Sequence, residues 1–123
     1  MRMALAVLML LHGVAHLPGF VSEWRLAALE GLPYRTTILA GRLDLGDIGI
    51  RVVGLLWLVA ALGFLAAGTG ALANRSWWTA AAAAAALGSL ALSLLELPQA
   101  RIGLAVNLAI LASLALAQRF ASA

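Results

Sequence analysis

Four long apolar stretches, separated by short polar ones, occupy most of the chain. The first covers residues 3–20 and is interrupted only by His12 and His16. The others cover about 50–67, 77–95 and 102–117. A helix needs about 20 mainly apolar residues to cross the hydrocarbon of a bilayer, so each stretch reads as a span. Backbone N–H and C=O groups in hydrocarbon must be satisfied within their own segment, and four segments are too few for a closed barrel, so the spans are predicted to be helices. The predicted fold is all-α, a four-transmembrane-helix bundle, and residues 1–123 form a single integral membrane domain. The first stretch has the basic start and shortness of a secretory signal. It runs on through His16 to Phe20 with no small-x-small cleavage site, and is read as a retained span.

Between the first two spans lies one long connection, Val21 to Gly49. Ser22 is placed to cap a short helix from Glu23 through Leu29, which Gly31 and Pro33 would end. Its Trp24, Leu26 and Leu29 suit a helix lying in the headgroup layer. Thr36 to Leu39 reads as a short extended piece, with turns at Gly41, Gly46 and Gly49. These glycines lack the sequence of a phosphate loop. Pro18 is expected to bend the first helix or end its last turn. Gly13 leaves room for a neighbouring helix, and the run Ala80 to Ala86, followed by Gly88, Ser89, Ala91 and Ser93, reads as a face of close helix approach.

Composition narrows the function classes. The chain is 64% hydrophobic and 11% charged, with a mean hydropathy of +1.03, against about 45–50% apolar and about 25% charged in a soluble domain. That balance excludes an ordinary soluble enzyme and a disordered tail. The net charge of +3 comes from eight scattered arginines, with no lysine, so there is no basic stripe for a nucleic acid. The absence of cysteine excludes a disulfide framework, a thiolate metal site and an iron–sulfur cluster. The Ala, Leu, Gly and Arg bias fits a GC-rich bacterial genome, so the expected location is the bacterial inner (cytoplasmic) membrane, multi-pass, with the lipid bilayer as partner.

With four spans, the long connection and the third connection share one side, opposite the termini. All five acids fall there: Glu23, Glu30, Asp44, Asp47 and Glu96. So do Arg25, Arg35, Arg42, Arg51 and Arg101, against Arg2, Arg75 and Arg119 on the other side. At about 1.5 Å per residue, His16 lies roughly 6 Å and His12 roughly 12 Å inside the first span, and Asn107 roughly 8 Å into the fourth. His12 and His16, four apart, share a helix face. Polar groups in spans are costly and usually face an interior or a wet cavity. His12, His16, Glu96 and Asn107 are therefore the candidate ligand-binding or metal-binding residues, with Glu23, Asp47, Arg51 and Arg101 as a supporting polar cluster. Two histidines at this spacing can chelate a divalent metal, with Glu96, Glu23 or Asp47 as a third ligand. Haem would need axial ligands from two chains. Alternatively, Glu96 pairs with Arg51 or Arg101 at headgroup level while His16 and Asn107 hydrogen-bond between helices. Trp57 reads as a core or lipid-facing residue.

The strings LHGVAHLPGFV (Leu11 to Val21), IRVVGLLWLVAALGFLAAG (Ile50 to Gly68) and NLAIL (Asn107 to Leu111) resemble a group of small four-helix bacterial membrane proteins that is distantly similar to the DoxX-like families. The HGxxH string from His12 to His16 is the most specific part. The resemblance implies the fold and the membrane location. DoxX-like members are linked to quinone oxidation and redox defence, but this chain lacks the cysteines such roles often use, and no activity is carried over. Small multidrug exporters have this size but place a glutamate in the first span, where this chain has His12 and His16.

Three functions fit these observations. The first is a membrane protein whose polar pocket in one leaflet binds a metal ion or a small amphiphile such as a quinone or lipid. The second is a structural or accessory subunit of a membrane complex or homo-oligomer. The third is a small transporter or channel.

Overall fold

The apolar stretches appear as four helices in the computed structural model, which describes residues 1–122 and the side chains of residues 1–119. They are α1 (Arg2–Glu23), α2 (Gly46–Leu72), α3 (Trp78–Leu95) and α4 (Arg101–Ser122). All four are long and apolar enough to cross a membrane. Each span extends somewhat beyond its apolar run or begins within a residue of it. The largest extension is in α2, whose 27 residues give a length of about 40 Å. Hydrocarbon is only about 30 Å thick, so the ends of α2, with Asp47 and Arg51 at its start, reach the headgroup layers.

The helices pack in chain order, α1 on α2, α2 on α3 and α3 on α4. Small residues set the spacing. A Cβ on Gly13 would lie 3.0 Å from the Ala61 carbonyl and 3.1 Å from Phe64 Cβ, so α1 meets the α2 backbone there. Between α2 and α3, a Cβ on Gly63 would lie 3.1 Å from Ala85 Cβ. Ala82, Ala85 and Ala86 are buried together with Leu5, Met9, Phe64 and Ile110. The alanine run thus supplies the close-approach face expected of it. A second apolar cluster, Ile38, Ile50, Val53, Ala60 and Leu92, sits nearer the long connection.

The connection departs from expectation. No interfacial helix forms over residues 23–29. Instead α1 continues through Pro18 to Glu23, and Trp24 ends it. Ser22 caps nothing: its hydroxyl donates to the Leu32 carbonyl at 3.0 Å, drawing the returning chain against the helix end. The extended piece is present as β1 (Thr37–Ile38), paired antiparallel with β2 (Leu43–Asp44), with Thr37 opposite Asp44. Gly41 and Gly46 do turn the chain, with φ of 84° and 71°, whereas Gly49 lies inside α2. The hairpin folds over one end of the bundle, where the Leu39 N–H donates to the Leu95 carbonyl at 2.8 Å. At the other end, Arg2 donates to the Ala71 carbonyl at 2.9 Å and closes the end of α2.

Candidate functional site

Helical spacing places two sets of polar side chains face to face in the core. His12 and His16 come from α1, Ser89 and Ser93 from α3, and Asn107 from α4. All five are buried, with Asn107 and Ser89 at 0% exposure. His12 Nε2 meets Asn107 Oδ1 at 2.9 Å, and Asn107 Nδ2 donates to Ser89 Oγ at 2.9 Å and to Ser93 Oγ at 3.4 Å. Ser89 Oγ meets His16 Nε2 at 2.5 Å, and His16 Nδ1 meets the His12 backbone carbonyl at 2.6 Å.

The proton positions follow from the partners. A carbonyl only accepts, so His16 Nδ1 carries a proton and, in the neutral ring, Nε2 accepts from Ser89. Ser89 in turn accepts from Asn107, whose Oδ1 accepts from the protonated Nε2 of His12. The result is a closed circuit of neutral groups joining three helices. Interhelical hydrogen bonds in membranes contribute on average about 0.6 kcal/mol each. The circuit as a whole fixes the register of α1, α3 and α4. Phe64 lies against both rings, with centroids 4.8 Å from His12 and 5.2 Å from His16.

This geometry bears on the metal reading. His16 uses both ring nitrogens and His12 uses Nε2 on protein partners. Among the described residues no group of three His, Cys, Asp or Glu stands together to hold an ion. The residues present do not fit a divalent metal.

Glu96 lies elsewhere, in a cavity of about 220 Å³ beneath the hairpin. His16 and Glu23 reach it from α1, Trp57 from α2, Arg35 from the connection, and Glu96 and Gln99 from the turn between α3 and α4. Pro18, Leu32, Ile38 and Leu95 supply apolar wall. With its amide oriented to satisfy both neighbours, Gln99 donates to the Glu96 backbone carbonyl at 3.1 Å and accepts from Arg35 Nη1 at 2.9 Å. The carboxyls of Glu23 and Glu96 are within hydrogen-bonding reach of one another. Glu23 Oε2 and Glu96 Oε1 are buried and face no donor, so the contact between the two groups closes only when one of them holds a proton. Burial pushes the Glu96 carboxyl above its ordinary range, against the opposing pull of the Glu23 hydrogen bond and the Arg35 charge.

Trp57 forms the inner wall. Its indole packs 5.2 Å from the His16 ring and rests on Gly19, where a Cβ would come within 3.1 Å of the ring. Its Nε1 is buried without a partner. Among the described residues, the three buried side-chain polar atoms without a partner all belong to residues lining this one cavity. The roof is conformationally unusual, because Leu39 and Ala40 both adopt left-handed backbone angles, with φ of 55° and 58°. Such angles cost energy outside glycine and cluster at functional sites.

The remaining candidates stand outside. Asp47 is 64% exposed, bonded to the Tyr34 hydroxyl and 3.8 Å from Arg25. Arg51 is exposed and lies over the Trp24 ring at 5.7 Å. Arg101 is exposed at the start of α4. Among the described residues neither Arg51 nor Arg101 forms an ion pair with Glu96, and the arginine whose charge acts on it is Arg35. Sequence reasoning passed over Arg35, Trp57, Gln99, Ser89 and Ser93 as site residues. Only the serines carried a usable signal, the same four-residue spacing that singled out the histidines.

Four apolar spanning helices with buried polar side chains define a multi-pass membrane protein. No family model, no curated protein and no solved structure matches the chain.

Proposed function

We propose that this is a small bacterial membrane protein that binds a small amphiphilic molecule in the cavity beneath the hairpin. The carrying observation is that this cavity collects the buried polar atoms left unsatisfied, with no partner for Trp57 Nε1 and no donor for Glu23 and Glu96 beyond a proton held between them, between walls that are otherwise largely apolar. Buried polar groups are normally paired, and pockets of this kind hold a ligand's apolar body while a few polar groups orient its head. The head lies toward Glu23, Glu96 and Arg35, at the headgroup end of the bundle, and the body lies against Trp57, Pro18 and Leu95. The His12–Asn107–Ser89–His16 circuit is the rigid floor on which His16 and Trp57 are set. The cytoplasmic membrane is the location that the composition and the DoxX-like resemblance support.

The test uses Trp57 as reporter. In a Trp24→Phe, Trp77→Phe, Trp78→Phe background, brominated benzyl alcohol or brominated benzylamine is titrated into protein held in phosphatidylcholine nanodiscs. At least one of the two should quench the remaining fluorescence saturably. Quenching by both that rises linearly, as for tryptophan free in lipid, overturns the proposal.

A further inference from the structure

The cavity's charge inventory names the ligand's head. The titratable and charged groups facing it are His16 and Glu23 from α1, Arg35 from the connection and Glu96 from the turn after α3. Trp57 from α2 adds an uncharged indole. His16 is buried, and the cost of burying an unpaired charge favours its neutral form, in which Nδ1 donates to the His12 carbonyl and Nε2 accepts from Ser89. With one proton between them, the two carboxyls carry a single negative charge. Arg35 carries a single positive one, so the cavity is neutral overall, as a low-dielectric site requires.

Resting on the proposal of a ligand pocket, we infer that the ligand is an organic ammonium ion that displaces the proton shared by Glu23 and Glu96. The exchange conserves charge: the ammonium enters, one proton leaves, and both carboxyls are then ionised around the cation. Before and after, the sum over Glu23, Glu96, Arg35 and the exchanged cation is zero. The ammonium has up to three donors and no acceptor, which suits two carboxylate oxygens that have no other donor once the shared proton has left. An aromatic wall favours a cation above its face, and Trp57 supplies one. A bare metal ion fits less well, because it needs more oxygen ligands than two carboxyls provide and has no use for apolar walls.

Isothermal titration of benzylamine and its isostere benzyl alcohol, into nanodiscs with and without the protein, tests this. Each titration is run in two buffers of different ionisation enthalpy, which counts protons. The amine should bind at least tenfold more tightly than the alcohol and release close to one proton per molecule bound. The alcohol should release none. Glu96→Gln should bring amine binding down to the level of the alcohol and abolish the proton release. Should that variant fail to fold, the proton count in the unaltered protein still decides. Equal binding of amine and alcohol, or amine binding without proton release, overturns the exchange and leaves the pocket standing. Saturable binding of neither overturns both.

Discussion

Single side chains separate the two polar groups of this protein by what each lacks. Asn107 lacks nothing, since it accepts from His12 and donates to Ser89 and Ser93. Asn107→Ala should therefore lower stability by about 1–3 kcal/mol, the usual consequence of stranding buried partners, measured as resistance to unfolding in detergent. Glu96 behaves oppositely. Its folded carboxyl binds its proton more tightly than the unfolded one does, so its contribution to stability is full below the ordinary glutamate value near 4.5. That contribution is lost as pH rises through the higher folded value. The melting temperature should fall over this window, and Glu96→Gln should flatten the fall. The histidines drew attention in the sequence because imidazole is rare in a span, and they do lie in the core. Arg35 and Trp57 were not legible as residues that line one cavity with Glu96. Their meeting depends on how a 22-residue connection, residues 24–45, folds back over the bundle, and no local pattern encodes that return.

Helices were the most legible feature, because hydrocarbon imposes the length and composition of each span. Their ends were not. Pro18 removes one backbone donor, yet α1 continues to Glu23, since the last turn is held by packing and by the Ser22 bond to Leu32. Ser22 has the residue type of a helix cap, but its hydroxyl makes a tertiary hydrogen bond instead. Seams between helices are set by glycine where one helix touches another's backbone. Gly13→Leu should drive α1 from α2 and cost on the order of 1–3 kcal/mol, read from a lower detergent melting temperature. Gly88→Ala is the control, because a Cβ there meets nothing within 4 Å. It should leave stability unchanged or slightly raised.

Across the molecule, the arrangement is polar from end to end. One end carries the hairpin, the cavity and all five acids. The other carries the Arg2 bond to Ala71 and the short turn between α2 and α3. The chain contains no cysteine, so single substitutions can be labelled without background. In sealed vesicles a membrane-impermeant maleimide should reach Ala40→Cys and Ser76→Cys from opposite faces. Labelling of both from the same face would contradict the four-span arrangement.

The ring that joins His12, Asn107, Ser89 and His16 has one further consequence. A path that conducts protons must be able to reverse every bond after each passage, so that the next proton finds a receptive atom. This ring closes on a peptide oxygen, which has no hydrogen to give, and its sense is therefore locked. The histidine layer is therefore expected to insulate, and the exchange proposed beneath the hairpin would return its proton to the side from which it came.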